Sequence, residues 1–260
     1  MQLDYYIFGD SFKSLNYNER FQYFDTHDFW NIYRFIITAK RDPTRNYTLV
    51  THNSDWPVSR IFQECGMSQK DLPDNIYWFA QNVDVDDSKI ETIPIGLENR
   101  HWHPSKMELL DRTTRRSKVI THLCCALFST KTHPYRRDVY NHFNQFDWCL
   151  CLDTVNGKDV EQYYDIIDSC MFTICPRGNG IDTHRIWEAI YLGSIPVIEE
   201  CVNTEYYEKL PSLIVENLLD VDRSTLEKHS NYYHKPNDIS RWKTTEFKYW
   251  EHRIYNKANR

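Results

Sequence analysis

Short apolar runs alternate with amphipathic stretches along most of the chain. The apolar runs have the length of strands buried on both faces, and the amphipathic stretches have one apolar side, as helices packed on a sheet do. This alternation predicts an α/β fold with parallel sheets covered by helices on both faces. The predicted strands are 5–8, 46–53, 75–82, 118–128, 147–152, 171–175 and 195–200, and the predicted helices are 27–40, 57–65, 135–143, 160–170 and 183–192.

A polar stretch interrupts the alternation near the middle of the chain. Residues 104–117, PSKMELLDRTTRRS, contain few apolar side chains, and the alternation resumes after them. We therefore expect a linker there, between Rossmann-like domains at 1–113 and 114–260. The last segment, 240–260, is expected to form a helix that packs back on the first domain.

Composition and charge narrow the range of partners and locations. The net charge is −6 and no long basic run is present, so we expect no nucleic-acid partner. We expect no membrane span and no signal peptide, because no run of eighteen apolar residues and no basic leader occur. The eight cysteines form no C-x-x-C pair, which favours free thiols in a reducing compartment and predicts a cytoplasmic protein.

One segment, CPRGNGIDTHRIWEAIYLGSIPVIEE (175–200), holds three of the seven glycines. It predicts a loop between a buried strand and a helix that Asp182 caps and that Gly193 ends in a left-handed conformation. Gly178 and Gly180 can adopt a positive φ and let a ligand approach the backbone. The loop follows a parallel strand and precedes a helix, where backbone N–H groups and the helix dipole favour a bound anion.

Charged side chains in the same segment fit a phosphate-bearing ligand. Arg177 and Arg185 can donate charge-assisted hydrogen bonds to an anion. Glu188 lies one turn beyond Arg185, so it either forms a salt bridge with that arginine or accepts the ribose hydroxyls of a nucleotide. No dinucleotide-binding or P-loop glycine pattern is present in the sequence.

The stretch CPRGNGIDTHRIWEAIYLGSIPVI resembles the signature of exostosin-like glycosyltransferases, and weaker similarity extends over 118–220. The resemblance implies an inverting enzyme of the GT-B class, with two Rossmann-like domains whose parallel sheets face a cleft, and a UDP-sugar donor. In the wider GT-B pattern E-A-x-x-x-G-x-x-P-V the glutamate, here Glu188, holds the ribose. Retaining members often have a second glutamate eight positions earlier, where this chain has Gly180. The resemblance places the nucleotide sugar on Arg177, Gly178, Asn179, Gly180, Arg185 and Glu188.

A second segment, ALFSTKTHPYRRDVY, resembles the first strand-to-helix loop of the family's nucleotide domain. Its spacing favours Arg136 as a ligand of the diphosphate, with Arg137 as the alternative. Hydroxyl groups of Ser129, Thr130 and Thr132 are candidate donors to the same group. The other interpretation of this segment is an exposed basic start of a helix.

Two acidic triplets have the form that holds a divalent metal in other glycosyltransferases. Asp84-Val85-Asp86 and Asp220-Val221-Asp222 lie in polar stretches, so we interpret both as solvated acidic turns. The triplet His101-Trp102-His103 lacks further ligands. We therefore expect no metal and no cofactor, with the UDP-sugar acting as donor substrate.

The first half of the chain is expected to bind the acceptor and to supply the general base. The segment NYTLVTHNSDWPVSR runs from a strand into a loop, and Asn53, Trp56 and Asn82 are candidate acceptor contacts. Asp55 is the predicted base, because the Trp56 ring could partly desolvate its carboxylate, and His52 is the alternative base. The competing role for Asp55 is a cap of the helix that begins at Pro57.

The resemblance implies a glycosyltransferase that moves a sugar to a glycan hydroxyl, with xylose, galactose, glucuronic acid or arabinose as the donor sugars that occur in the family. The alternative is a catalytically silent module that binds a nucleotide sugar or a glycan. Cellular members of the family are usually membrane-anchored. This short chain without an anchor is therefore expected to be a large-virus or bacterial member, or a piece of a longer protein.

Overall fold

The computed structural model of the protein describes residues 5–99, 101, 104–114, 117–153, 160–230 and 242–259. The chain divides into two compact units. The first unit comprises Gln2–Gly96, Gly180–Asp182 and Glu246–Arg260, and the second comprises Leu97–Asn179 and Thr183–Thr245. Each unit contains its own parallel sheet, which confirms the predicted α/β class and is compatible with a Rossmann-like fold.

The first unit is built on a parallel sheet with the strand order β1-β2-β3-β4. Its strands are β1 (Phe21–Asp25), β2 (Tyr47–His52), β3 (Ile76–Ala80) and β4 (Ile90–Thr92), and its helices are α1 (Phe29–Arg41), α2 (Val58–Glu64) and α9 (Phe247–Ala258). Apolar side chains of α1, among them Ile32 and Ile36, pack with those of α2 on Leu49 and Trp78. Each fully buried side chain of this size contributes about 1.5–3 kcal/mol to folding.

The second unit has a parallel sheet with the order β6-β5-β7-β8-β9. Its strands are β5 (His122–Leu127), β6 (Cys149–Leu152), β7 (Cys170–Ile174), β8 (Ile195–Glu199) and β9 (Leu213–Val215). Its helices are α3 (Pro104–Thr114), α4 (Pro134–Phe143), α5 (Val160–Ser169), α6 (His184–Tyr191), α7 (Thr204–Tyr207) and α8 (Arg223–Ser230). Phe128, Phe143 and Phe172 are central to its core.

Short 3-10 turns and free thiols complete the description of both units. The 3-10 turns are Ser11–Ser14, Gln69–Asp71, Leu218–Asp220 and Lys243–Thr245. All eight cysteines are free thiols, and five of them are buried. In the described part of the chain, each helix is too short or too polar to cross a membrane.

The start of the first sheet differs from the prediction. Residues 5–8 form no strand, and β1 lies instead at Phe21–Asp25, a run that the sequence pattern did not single out. Tyr6, Ile7 and Phe8 are buried, but they fill the core from an irregular segment. Gly96 lies against the backbone of this segment with a φ of 68°, and a Cβ atom on it would collide with the Ile7 carbonyl. The apolar run at 5–8 therefore predicted burial correctly but not a strand.

The predicted linker is a helix. Residues 104–114 form α3, and the division between the units falls at Gly96 and Leu97 rather than between 113 and 114. The polar composition of α3 concealed a narrow buried face, where Leu110 is fully buried and the helix packs on α5. The C-terminal helix α9 belongs to the first unit, where Trp250 and Ile254 are buried.

Candidate functional site

The carboxyl ends of β5 and β7 are neighbours in the second sheet. β5 pairs with β6 on one side and with β7 on the other, so the connections after β5 and β7 run toward opposite edges of the sheet. Ligands of open parallel sheets bind at such a reversal of strand order. The loops after these strands, 128–133 and 175–183, contain most of the residues predicted for the nucleotide site.

Arg136 joins the two loops. It lies in the first turn of α4, is 5% exposed, and donates from Nε to the carbonyl of Arg177 at 2.8 Å and from Nη2 to that of Pro176 at 3.3 Å. The alternative residue, Arg137, is exposed. Arg136 is therefore the arginine that faces the loop after β7, where it fixes the backbone and adds positive charge.

The glycines of this loop differ in how they are used. Gly193 follows α6 with φ of 72°, which confirms the predicted left-handed helix end. A positive φ is not found at Gly178 or Gly180. A Cβ atom on Gly178 would lie 2.9 Å from Arg136 Nη2, so a larger residue there would displace the guanidinium from the backbone.

A second arginine shares an aromatic platform with Arg136. The guanidinium carbons of Arg136 and Arg185 lie 5.8 and 5.6 Å from the ring centre of the buried Phe128. Arg185 Nε is buried and makes no hydrogen bond within the described residues, and the same holds for Thr183 Oγ1. Thr183 is the N-cap of α6, but its side chain does not cap the helix. The start of α6 thus retains hydrogen-bonding capacity for an anion.

Glu188 makes contacts other than the expected pair with Arg185. It is 5% exposed, and its carboxylate accepts hydrogen bonds from Tyr163 Oη at 2.8 Å and Tyr164 Oη at 3.4 Å. Lys106 Nζ lies 3.8 Å from Oε1. Burial and the Glu188 carboxylate raise the pKa of both tyrosines, so their hydroxyls remain donors at neutral pH. A carboxylate offers about four acceptor positions, so capacity remains for further donors.

The exposed side of the site carries the remaining predicted residues. Arg177 and Asn179 are exposed, and Arg177 Nη2 donates to the Asn179 carbonyl at 3.4 Å. Ser129 Oγ accepts from the Lys131 amide at 3.3 Å. The other two predicted hydroxyl groups have different surroundings. Thr132 is exposed, whereas the Thr130 hydroxyl donates to the carboxylate of Asp153.

His133 lies at the site although the sequence pattern assigned it no role. It is the N-cap of α4, and its Nδ1 accepts from the Tyr135 amide at 3.3 Å. Partial burial and the guanidinium groups of Arg177 and Arg136 lower its pKa. Tyr163, Tyr164 and Lys106 were also missed, because they come from α5 and α3, far from the glycine loop in the sequence. For His133, the local signal in the sequence was its position directly before Pro134, the first residue of α4.

Comparison with known families matches part of this unit. Residues 140–217 match the family model of the RXYLT1 C-terminal domain, which belongs to an exostosin-like xylosyltransferase family. The matched segment includes the loop after β7, α6 and Glu188. It supports a glycosyltransferase. The match covers less than half of the chain, and no curated protein matches it.

The first unit, which the family match does not reach, has a polar network at the carboxyl ends of its strands. Asn53 and Asn82 follow β2 and β3 with φ of 67° and 53°, which is unusual for residues other than glycine. The Asn53 amide donates to Gln81 Oε1 at 2.9 Å. Gln81 Nε2 and Asn82 Nδ2 both donate to the Ser54 carbonyl, at 2.7 and 3.1 Å. These contacts fix the loop that holds the predicted base.

The network continues into the tripeptide Gly180–Asp182. Asn82 Oδ1 accepts from the Asp182 amide at 2.9 Å, and Asp182 Oδ2 accepts from the Ile95 amide at 2.9 Å. The sequence predicted Asp182 as the cap of α6, and this is wrong, because the N-cap position is occupied by Thr183. A Cβ atom on Gly180 would lie 2.6 Å from Asn82 Nδ2, so only glycine fits there. Asn82, predicted as an acceptor contact, is fully buried and holds the backbone.

His52, the alternative base, has the surroundings of a structural residue. It is fully buried, with Nδ1 2.9 Å from the Gly9 carbonyl and Nε2 2.7 Å from the Pro94 carbonyl. Its ring also packs on Phe12 at 4.9 Å between centroids. Both ring nitrogens thus face backbone acceptors, so neither is placed to take a proton from an acceptor hydroxyl.

Asp55 and Trp56 lie at the exposed tip of the same loop. The Trp56 ring stacks on Phe29 with centroids 5.3 Å apart, and Arg60 lies 5.5 Å from its centre. Asp55 is exposed, so the expected desolvation by Trp56 is not provided in this conformation. The alternative interpretation of Asp55 was a cap of α2. In the structure the Asp84 carboxylate accepts from an amide in the first turn of that helix.

One aspartate of each acidic triplet caps a helix. Asp84 accepts from the amide of Ser59 in the first turn of α2 at 2.8 Å, and Asp222 accepts from the Thr225 amide in the first turn of α8 at 2.8 Å. The Thr225 hydrogen bonds lower the pKa of Asp222. Among the described residues, no group of three or more potential ligands could hold a metal ion. Trp102 and His103 lie outside the described residues.

Proposed function

We propose that the protein is an inverting, metal-independent glycosyltransferase of the GT-B class that moves a sugar from a UDP-sugar to a glycan hydroxyl. The observation that carries this proposal is the grouping of Arg136, Arg177 and Arg185 at the strand-order reversal, with Glu188 one turn further along α6. The family match over 140–217 supports the same reaction class.

The donor diphosphate is proposed to lie between the three arginines and the start of α6. Arg185 Nε and Thr183 Oγ1 are buried there without a partner among the described residues, so each is a candidate donor to phosphate oxygens. A hydrogen bond to a charged group contributes about 1.5–3 kcal/mol. Positive side chains and the helix dipole can together neutralise the departing UDP, which is the task of the metal in other glycosyltransferases.

The ribose is proposed to bind Glu188. Tyr163 and Tyr164 hold the carboxylate in place, and the acceptor positions that they do not use can receive the ribose hydroxyls. The position of the second glutamate in retaining relatives is occupied by Gly180, which supports inversion. No acidic side chain can act from that position on the sugar.

Asp55 is the proposed general base. Its carboxylate takes the proton of the acceptor hydroxyl while the acceptor oxygen forms a bond to the anomeric carbon. The bond from that carbon to the UDP oxygen breaks on the opposite face, and UDP leaves with the electron pair. Asn53 and Trp56 on the same loop are proposed to contact the acceptor, and Asn82 is proposed to act by holding this loop.

Thermal unfolding with a panel of nucleotide sugars tests the donor assignment. The name of the matched family makes UDP-xylose the first choice, followed by UDP-galactose, UDP-glucuronic acid and UDP-arabinose. A ligand at about 100 times its Kd stabilises a protein by about 2.7 kcal/mol. Stabilisation by UDP and by one UDP-sugar is expected, with UDP release once a suitable glycan is added.

The alternative outcomes of this test separate the competing functions. Stabilisation by UDP-sugars without release of UDP with any glycan would favour a silent binding module. A protein that no uridine nucleotide stabilises would contradict the proposal altogether.

A further inference from the structure

We propose that His133 is a ligand of the donor diphosphate, to which it donates through its Nε2–H group while its Nδ1 atom caps α4. This inference rests on the proposed function and adds a residue that neither the family resemblance nor the glycine loop indicates. It concerns the loop after β5, whereas Arg177 and Arg185 belong to the segment after β7.

The tautomer of the ring follows from its contact with α4. Nδ1 accepts a hydrogen bond from the Tyr135 amide at 3.3 Å, so in the neutral ring the proton is on Nε2. His133 is half-buried, and it is the residue that precedes the helix-opening Pro134. The cap fixes one side of the ring, and the opposite side presents a single N–H donor.

The surroundings of the ring favour its neutral form. The positive groups that act on His133 are Arg136, from the first turn of α4, and Arg177, from the loop after β7. Burial and these two charges lower the pKa, so at pH 7 the ring is neutral and would gain a proton only at a lower pH. Protonation would also place a hydrogen on Nδ1, which could then no longer accept from the Tyr135 amide.

A neutral donor suits this position for a physical reason. A positively charged imidazole would be repelled by Arg136 and Arg177 as long as no ligand is bound. A neutral N–H group can bind a phosphate oxygen without that cost. His133 would therefore add a hydrogen-bond donor on the β5 side of the site, where Arg136 already donates to two backbone carbonyls.

Two substitutions separate the capping role from the ligand role. In His133→Asn the side-chain oxygen can still cap α4, because asparagine is a favoured N-cap, but the distal donor is lost. In His133→Gln an amide N–H can reach the position of Nε2, but glutamine is a poor N-cap. His142→Asn, on the same helix at its other end, is the matched control.

Isothermal titration with UDP and with uridine, together with thermal unfolding, gives the decisive comparison. We expect His133→Asn to keep the wild-type melting temperature and to bind UDP about 10- to 100-fold more weakly, with unchanged uridine affinity. We expect His133→Gln to melt at a lower temperature and yet to recover part of the UDP affinity. His142→Asn should bind both ligands as the wild type does.

Other results would overturn the inference. If His133→Asn binds UDP as tightly as the wild type, or if UDP affinity in both variants simply follows the melting temperature, His133 only caps the helix. If the wild-type protein binds neither UDP nor uridine, the proposed function itself fails, and the inference fails with it.

Discussion

The carboxyl edges of the two sheets both contain buried polar side chains but use them differently. In the first unit Gln81, Asn82 and Asp182 are buried and hydrogen-bond to backbone groups of neighbouring loops. In the second unit Arg185 Nε and Thr183 Oγ1 are buried without partners among the described residues. The three side chains of the first edge thus have partners within the unit, whereas the two atoms of the second edge are available to a ligand.

This difference is what the proposed function expects of a scaffold at the first edge and of a binding site at the second. Buried polar groups normally find partners within the protein, so a cluster of donors that lacks them indicates a ligand that supplies the acceptors. Hydrogen-bonded amides at the other edge hold a loop whose tip, with Asp55 and Trp56, is exposed. In the proposed function, the first edge supports the loop that contacts the acceptor, whereas residues of the second edge bind the donor themselves.

The largest expected effect concerns the loop tip of the first unit. Asp55→Asn should lower the rate of sugar transfer by about 10²–10⁴-fold and leave UDP affinity unchanged, because the amide cannot take a proton. Steady-state kinetics with the identified donor and acceptor measure this. Asp74→Asn, at another exposed position of the same unit, is the matched control. Near-full turnover of Asp55→Asn, with loss of activity in a folded His52→Ala protein, would transfer the role to His52.

At the second edge, Glu188→Ala should remove the stabilisation by UDP, which is about 2.7 kcal/mol at 100 times the wild-type Kd. The reason is the loss of the carboxylate proposed to hold the ribose. Thermal unfolding with and without UDP measures the effect, and Glu200→Ala, at an exposed position after β8, is the control. A destabilised Glu188→Ala protein that still binds UDP normally at low temperature would show that the carboxylate is structural.

The scaffold role of the first edge can be tested at Asn82. Asn82→Ala should destabilise the protein by about 1–3 kcal/mol, because it leaves buried partners of the amide without hydrogen bonds. Urea unfolding measures the loss, with the exposed Asn16→Ala as control. UDP affinity should not change. A variant of wild-type stability with impaired acceptor binding would instead make Asn82 a direct acceptor contact.

A smaller effect is expected at Tyr163. Tyr163→Phe removes the shorter of the two hydroxyl contacts to Glu188 and keeps the ring, which should cost about 0.5–1.5 kcal/mol. UDP binding should therefore weaken by roughly 2- to 10-fold, with little change in the turnover rate. Titration calorimetry measures the affinity. An unchanged affinity would mean that Glu188 is oriented without this tyrosine.

The smallest expected effect is that of chelation. Activity should survive EDTA, because Asp84 and Asp222 cap helices and arginines are proposed to neutralise the diphosphate. Transfer assays with EDTA and with added manganese measure this. Loss of activity with EDTA and recovery with manganese would contradict both the metal-independent mechanism and the contrast between the two edges.

The fold was predictable where apolar runs coincide with strand pairing. Strands such as β2, β5 and β7 are short, apolar and bounded by polar residues, so their pattern identifies them. The segment at 5–8 is equally apolar but fills the core without forming a strand. β1 has a half-polar pattern typical of an edge strand. In α3 the buried face is too narrow to stand out from its polar surroundings. Local composition cannot distinguish these cases, because tertiary contacts decide them.

The candidate site could be proposed from the sequence where its residues are contiguous. Arg177, Arg185 and Glu188 lie in one glycine-bearing segment, and the strand order brings Arg136 to the loop that contains Arg177. The partners of Glu188 come from α3 and α5, and no local pattern connects them to it. His133 was overlooked because its helix-capping contact depends on ring orientation.

The assignment of Gly180–Asp182 and α9 to the first unit has a consequence for biosynthesis. On the ribosome the chain emerges from its N-terminus at about 5–20 residues per second, and domains usually fold as they appear. Here Asn82 and Ile95 gain their hydrogen bonds only after Asp182 has been synthesised, and the core of the first unit gains Trp250 only with α9. The unit that is translated first is therefore completed last, and a gene fragment that ends at residue 96 would lack part of its core.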